Sequence, residues 1–188
     1  MSIRDRIVVA WFVVITSLLT PGDAFGDQRD LRLPSLFERL QRTANPSEAS
    51  LIAHLIREIW LEFEDPRIQE HLMGAVGAMS KRDVFSALSR YDRIIEQAPE
   101  FAEGWNKRAN VHLLLGNLDA SVRDIQQTLA LEPRHFDALS RLGIIYDRLE
   151  MPAAALRCFE AASNLHPHLS YSNERAHELR DQLAGEPL

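Results

Sequence analysis

The chain has 188 residues, of which 46% are apolar, and this is enough to build one domain with a buried core. Lys and Arg number 21 and Asp and Glu number 27, a formal net charge of −6, and this acidity argues against nucleic acid as the main partner, because phosphate binding needs a basic face. The single cysteine, Cys158, excludes an intramolecular disulfide and a multi-cysteine zinc site.

Residues 1–26 have the layout of a secretory signal peptide. Arg4 and Arg6 precede an uncharged apolar run over residues 7–20, and Ala24 and Gly26 place small residues three and one positions before a possible cleavage point. The apolar run is short for a membrane-spanning helix, which needs about 20 residues. We therefore expect an exported chain that is cleaved after residue 26, with an uncleaved membrane anchor as the alternative.

Residues 27–66 are predicted to form a helical hairpin with a shortened first helix. Leu36, Phe37 and Leu40 lie on one side of the first helix, and Asn45 is suited to cap the second. We interpret this segment as a degenerate copy of the hairpins that follow it. The apolar stripe expected on its second helix consists of Leu51, Ile52, Leu55, Ile56, Ile59, Trp60 and Phe63.

Three prolines mark a repeat, because Pro99, Pro133 and Pro167 follow one another at intervals of 34 residues. Each segment before a proline has two apolar stripes of helical period with a break between them, which predicts two helices that the proline ends. One such hairpin cannot bury its apolar face alone, so neighbours must stack. The three segments are 68–101, 102–135 and 136–169.

Equivalent positions of the three segments carry similar side chains. Small residues recur where two helices must approach closely, and a large residue recurs one turn after the second small one. These positions are Ala75, Ala109 and Gly143 on the first helices, and Ala87, Ser121 and Ala155 with Tyr91, Ile125 and Phe159 on the second helices. The breaks between helices are expected at Arg82-Asp83, Gly116-Asn117 and Glu150-Met151.

This pattern resembles the tetratricopeptide repeat family, and the last segment fits it best, with Leu142-Gly143 and Tyr146. The middle segment departs from it with Arg108 where Leu is usual and His112 where Tyr is usual. The resemblance implies an all-α fold, a right-handed superhelical solenoid of stacked helix-turn-helix hairpins. Residues 170–188 are expected to supply a polar capping helix and a short tail.

No pattern of residues predicts catalysis. The seven histidines form neither a His-x-x-x-His pair nor a metalloprotease motif, and Cys158 has no base near it in sequence. We interpret the His166-Pro167-His168 stretch as a turn between helices rather than a weak metal site. The chain is therefore predicted not to be an enzyme and to need neither a metal nor a cofactor.

The resemblance also implies that the first helices of successive hairpins line a concave groove that binds a protein or peptide. Lys107, Arg141 and Arg148 would then meet carboxylates of the partner. Some relatives clamp a C-terminal carboxylate with Lys and Asn of the first hairpin, where this chain has Leu72 and Val76, so a full clamp is not expected. The implied groove residues are Gln69, Leu72, Val76, Met79, Glu103, Asn106, Lys107, Asn110, Leu113, Leu114, Asp137, Ser140, Arg141, Ile144, Asp147 and Arg148.

The chain is similar to short exported tetratricopeptide proteins of Gram-negative bacteria, which implies the bacterial periplasm. The favoured hypothesis is a non-enzymatic scaffold in the cell envelope that binds a partner protein or peptide, with no nucleic-acid partner and no stable membrane insertion after signal cleavage. The alternative is a self-associating structural or assembly-factor module. It rests on the irregular first hairpin, which leaves an apolar end of the solenoid to bury against a second copy.

Overall fold

The computed structural model describes residues 29–185, and the predicted signal segment lies outside this range. All regular secondary structure of the described residues is helical, which confirms the expected all-α fold of helical hairpins. Across residues 29–185, none of the helices combines the length and apolar character needed to cross a bilayer. The helices are α1 (Leu33–Arg42), α2 (Pro46–Leu61), α3 (Pro66–Ser80), α4 (Val84–Gln97), α5 (Ala102–Leu114), α6 (Leu118–Leu131), α7 (Phe136–Arg148), α8 (Pro152–Leu165) and α9 (Ser170–Gly185).

Helix starts follow the local sequence. The side chain of Asn45 accepts hydrogen bonds from the backbone N–H groups of Ser47 at 2.9 Å and Glu48 at 3.3 Å, which confirms it as the cap of α2. Asp83 accepts a similar bond from the N–H of Ser86 at 3.0 Å at the start of α4. These carboxylate and amide oxygens satisfy N–H groups that have no partner inside the helix.

The turn inside each repeat contains one residue in the left-handed region of backbone space. These residues are Arg82, Gly116 and Glu150, with φ angles of 59°, 75° and 53°, and they fall at the predicted breaks. Glycine adopts this conformation without steric cost, whereas a residue with a Cβ does not. Arg82 and Glu150 therefore carry backbone strain that Gly116 avoids.

The described chain divides into two compact units. The first unit is Phe63–Leu131, which holds α3 to α6, and the second combines residues 29–62 with residues 132–185. The first unit has a core to which α3, α4 and α5 all contribute. Its larger buried side chains are Ile68, Leu72, Tyr91, Ile94, Phe101 and Val111.

The N-terminal hairpin shares one core with the last repeat inside the second unit. Phe136, the first residue of α7, is fully buried in the same cluster as the apolar faces of α1 and α2, and Leu165 and Leu169 pack against that cluster. The hairpin contributes Leu33, Phe37, Leu40, Ala49, Ile52, Ala53, Ile56, Ile59 and Trp60.

The apolar stripe predicted for α2 is wrong at three residues, because Leu51 and Leu55 are exposed and Phe63 lies beyond the end of the helix and packs against the core of the first unit. Leu51 and Leu55 are 59% and 42% exposed, and Ala49 and Ala53 are buried instead. Residues three or four apart share a helix face. When the buried face of α2 is centred on Ile56, Leu55 lies at the edge of that face and Leu51 lies on the exposed side.

Small residues allow the close packing that the repeat pattern predicts. A Cβ atom at Gly143 on α7 would lie 2.6 Å from the ring of Phe159 on α8, so only glycine fits there without a shift. Helix α9 then turns Ala176 and Leu179 inwards, where they are 4% and 0% exposed. Its remaining surface is mostly polar, as expected of a terminal cap.

Candidate functional site

The first unit contains two hairpins, and the first helix of each, α3 and α5, exposes large apolar side chains. Val76 on α3 and Leu114 on α5 are 58% and 60% exposed, and both are among the residues implied to line the groove. Met73 on α3 is 68% exposed. It precedes Lys107 by one repeat length, so the repeat register places it among the groove positions, although it was not among the implied groove residues. We call Met73, Val76 and Leu114 together the α3/α5 face.

Three of the implied groove residues in this unit are buried. Leu72 is 5% exposed and packs in the core, while Glu103 and Asn106 are 4% and 3% exposed. The carboxylate of Glu103 accepts a hydrogen bond from the Asn106 side-chain amide at 2.8 Å. It also lies 2.9 Å from the Lys107 ammonium group. The lysine expected to meet a partner carboxylate thus has a carboxylate of its own chain beside it.

The two departures of the middle repeat from the family pattern meet at one buried carboxylate. Arg108 donates to both oxygens of Asp124 at 2.7 and 2.8 Å and to Asp92 at 2.8 Å. His112 Nε2 lies 3.9 Å from the same Asp124 group. Burial lowers the pKa of His112 from its ordinary value, although Asp124 opposes this effect. This cluster has internal partners for its charges and stabilises the hairpin.

In the second unit, helices α2 and α9 engage three of the implied groove residues of α7. Asp137 accepts two hydrogen bonds from Arg57 of α2, at 2.7 and 2.9 Å. Asp147 accepts two from Arg175 of α9, at 2.7 and 2.8 Å. The remaining contact joins the hydroxyl oxygens of Ser140 and Ser172 at 2.9 Å. Among the other implied residues of α7, Arg141 and Ile144 are half-buried and Arg148 is exposed.

An aromatic cluster holds α2 against the start of α7. Trp60 stacks on His135 with ring centroids 4.0 Å apart, and it lies 5.1 Å from Phe136. The guanidinium of Arg57 covers the Phe136 ring at 5.0 Å. His135 Nδ1 accepts the N–H of Ala138 at 3.2 Å, so the same imidazole caps α7. Sequence periodicity does not show the contacts of Trp60 and Arg57 with the start of α7, because they join segments about 80 residues apart.

The described residues offer little for catalysis or metal binding. Within residues 29–185, no group of three or more His, Cys, Asp or Glu side chains is placed to hold a metal ion. Cys158 is buried and free, and burial raises the pKa of its thiol to about 12. At neutral pH this thiol is protonated, and a protonated thiol is a poor nucleophile.

A comparison with curated proteins finds a relative that matches most of the chain. A TPR repeat-containing protein of Rhizobium etli is 33% identical over 154 residues, which cover 82% of this chain and 76% of that protein. No family model matches the chain.

Solved structures with the same fold include two complexes. The TPR2B domain of yeast Sti1 in its complex with pHsp70 has a TM-score of 0.58 and 19% identity, over 63% of this chain and 99% of that one. The first TPR of Spaghetti (RPAP3) bound to the HSP90 peptide SRMEEVD has a TM-score of 0.61 and 16% identity, over 65% of this chain and 97% of that one. At these identities the likeness establishes the helical repeat fold.

Proposed function

Because the chain belongs to the tetratricopeptide repeat family, we propose that it is a non-enzymatic interaction protein that holds a partner polypeptide on its α3/α5 face. The exposure of Met73, Val76 and Leu114 on the two first helices of one unit carries this proposal. Met73 and Val76 lie three residues apart on α3 and so share one side of that helix. Leaving large apolar side chains in water costs free energy, which a bound partner that covers them would recover.

The charges beside this face favour an apolar segment of the partner over an acidic C-terminus. Lys107 lies against Glu103, and Arg108 is held by Asp92 and Asp124. A partner carboxylate would have to displace these internal partners. The peptide SRMEEVD in the Spaghetti structure is acidic, so we expect the segment bound by this chain to differ from it in charge.

A retention experiment with matched variants tests the proposal. The tagged full-length chain is used to capture partners, and retained proteins are compared with those held by Met73→Glu plus Leu114→Glu. We expect the double variant to lose retention, since two carboxylates would be buried against apolar groups. Phe85→Glu is the control, because Phe85 is 72% exposed but lies on α4. Equal retention by all three proteins would reject the α3/α5 face.

We also propose that the protein acts in the cell envelope. The support is the basic start and apolar run of residues 4–20, which precede the described part of the chain. Fractionation of the producing cells followed by N-terminal sequencing tests this location. We expect a processed chain that begins at Asp27 in the envelope fraction. A chain that keeps its first residues and stays in the cytoplasm would contradict the proposal.

Self-association is the second candidate function. It is favoured by the same exposed face together with Leu51 and Leu55 on the surface of α2, since a second copy would cover such groups. Light scattering of the purified protein at about 50 µM distinguishes the two, because dimerisation depends on concentration. A monomer at this concentration rejects self-association and leaves the partner proposal standing.

A further inference from the structure

A cavity of about 310 Å³ lies in the second unit, on the surface between α1 and α2. Its wall is mainly apolar, and the apolar side chains that line it are Leu36 of α1 with Leu55 and Ile59 of α2. Ile59 belongs to the core of this unit and Leu36 packs against that core, so the floor of the cavity continues into buried apolar packing. We call these three residues the α1/α2 groove.

An exposed apolar strip on α2 extends the groove. Leu55 is 42% exposed, and Leu51, one turn earlier on the same helix, is 59% exposed. Residues four apart share one side of a helix, so the two leucines form a continuous strip that ends in the groove. Water contact with these groups costs free energy, which an apolar segment seated on them would recover. The surface therefore suits an apolar polypeptide better than a charged ligand.

One carboxylate at the edge of the groove has no partner. Glu58 lines the cavity, is exposed, and forms no ion pair with any other residue in the range 29–185. Glu62 also lines the cavity, but its carboxylate is paired with Arg32. A segment that joins apolar side chains to positive charge would complement this arrangement, because opposite charges attract across an interface.

The chain itself contains a segment of this chemistry. Residues 7–20, which lie outside the described range, form an uncharged apolar run, and Arg4 and Arg6 directly precede it. This segment supplies both the apolar side chains and the positive charge that the groove and Glu58 call for. Because it is tethered to the groove, its effective concentration is on the order of millimolar, and it needs little intrinsic affinity to dock.

The connection between the run and the groove is long enough for docking. Residues 21–31 join the run to Arg32, which lines the cavity just before α1 begins. This link spans up to about 36 Å when extended, whereas the two turns of α2 that line the cavity rise only about 11 Å. Pro21 and Gly22 favour a turn directly after the run, which allows the chain to fold back.

We propose that the α1/α2 groove binds the apolar run of residues 7–20 of its own, unprocessed chain. The run covers Leu51 and Leu55, and its basic start pairs with Glu58. Docking shields the run from water and keeps the unprocessed chain from aggregating through it. Removal of the segment uncovers the groove. The inference concerns the chain before processing, so it is independent of the partner proposed for the α3/α5 face.

Nuclear magnetic resonance of the purified, unprocessed full-length chain tests the docking. A spin label attached at Ser17→Cys weakens the signal of any methyl group near the run, whatever the register of the contact. Cys158 is buried and its thiol is protonated, so the label attaches at position 17 alone. We expect methyl signals of the α1/α2 groove to be lost and those of the α3/α5 face to remain. Unchanged groove signals, or losses on the α3/α5 face instead, would overturn the proposal.

A mixed sample distinguishes the chain's own segment from that of a second copy. Isotope-labelled chain without a spin label is mixed with spin-labelled chain that carries no isotope, each at about 50 µM. We expect the groove signals of the isotope-labelled chain to be unaffected, because each groove holds its own run. Signal loss in the mixture would mean that a second copy supplies the segment. That result would overturn the proposal and support self-association.

Three variants make the test specific to the groove. Leu55→Glu should weaken docking about tenfold or more, because the run would bury a carboxylate against apolar groups. Phe85→Glu is the matched control, since Phe85 is also an exposed apolar side chain but lies on α4 in the first unit. Glu58→Lys repels Arg4 and Arg6 and should weaken docking to an extent that added salt reduces. Docking that survives both Leu55→Glu and Glu58→Lys would also overturn the proposal.

Discussion

The hairpins α5/α6 and α7/α8 have the same shape but are held together by different chemistry. The hairpin α7/α8 contains three buried side chains, each at most 3% exposed, namely Leu142, Tyr146 and Cys158. One repeat length earlier, the equivalent positions of α5/α6 carry polar or charged side chains. Those residues are Arg108, His112 and Asp124. The apolar set gains free energy by burial. The polar set depends instead on the ion pairs of Arg108 with Asp124 and Asp92, while His112 Nδ1 is buried without a hydrogen-bond partner among the described residues.

The hairpin α3/α4 shows a third combination at two of these positions. Gly74 corresponds to Arg108, and Arg90 corresponds to Asp124. The Arg90 side chain lies so close over α3 that a Cβ atom at Gly74 would collide with its guanidinium group. The repeat therefore specifies where two helices touch, and the residues that fill the contact vary as complementary sets.

Removal of one member from the polar set is expected to have the largest effect. Arg108→Ala leaves Asp124, which is 5% exposed, without its strongest partner and should lower the free energy of unfolding by about 3–5 kcal/mol. Arg93→Ala breaks a pair with Glu96 in which both side chains are more than 60% exposed, and should cost less than about 1 kcal/mol. Urea unfolding followed by circular dichroism measures both. Equal costs would show that the buried pair contributes no more than a surface pair.

Replacement of the whole polar set should be far less harmful than removal of one member. Arg108→Leu, His112→Tyr and Asp124→Cys together install the residues of the last repeat and leave no buried charge unpaired. We expect the triple variant to lie within about 1.5 kcal/mol of the natural chain in the same urea experiment. A triple variant less stable than Arg108→Ala would mean that the two hairpins require different contacts.

The turns inside the two hairpins also differ, and substitutions there are expected to change the free energy of unfolding by smaller amounts. Gly116→Ala places a Cβ on a residue with a φ of 75° and should cost about 1 kcal/mol. Glu150 in the last repeat adopts the same conformation, with a φ of 53°. Glu150→Gly relieves its backbone strain and should be neutral or stabilising by up to about 1 kcal/mol. Thermal melting of the two variants compares them directly. Destabilisation by Glu150→Gly would show that its side chain, not its backbone, decides the turn.

The pH dependence that His112 contributes is expected to be the smallest effect. Its pKa is lowered in the folded chain, mainly by burial, so the unfolded chain binds the proton first. The stabilisation is complete above the unfolded pKa of 6.5 and is lost as the pH falls below it. His112→Tyr should therefore reduce the loss of melting temperature between pH 7.5 and pH 5, because tyrosine does not titrate there. An unchanged loss would assign the pH dependence to other groups.

The sequence predicts contacts that lie within one hairpin better than contacts between hairpins. The prolines, the breaks and the cap at Asn45 are local features, and the close approach at Gly143 follows from the repeat pattern. The pair between Arg57 and Asp137 joins residues 80 positions apart, and no periodicity records such a pairing. The grouping of the N-terminal hairpin with the last repeat was unpredictable for the same reason.

The candidate site was predictable only as a set of positions. The repeat register places Val76 and Leu114 on first helices, and they are exposed there. It places Leu72 and Asn106 beside them, but the core takes Leu72, and Asn106 donates to the buried Glu103. Which side of each helix faces a neighbour depends on the tilt of that neighbour, and a single sequence does not encode this in its periodicity.

The shared core around Phe136 constrains the order in which the polypeptide acquires structure. Residues 33–61 are synthesised first, yet the ring that completes their packing follows only after residues 63–131 have been made. Until then Ile52, Ile56 and Trp60 lack part of their cover, and a nascent chain in this state is prone to aggregate. Such long-range closure also slows folding, because distant segments must meet before either gains stability.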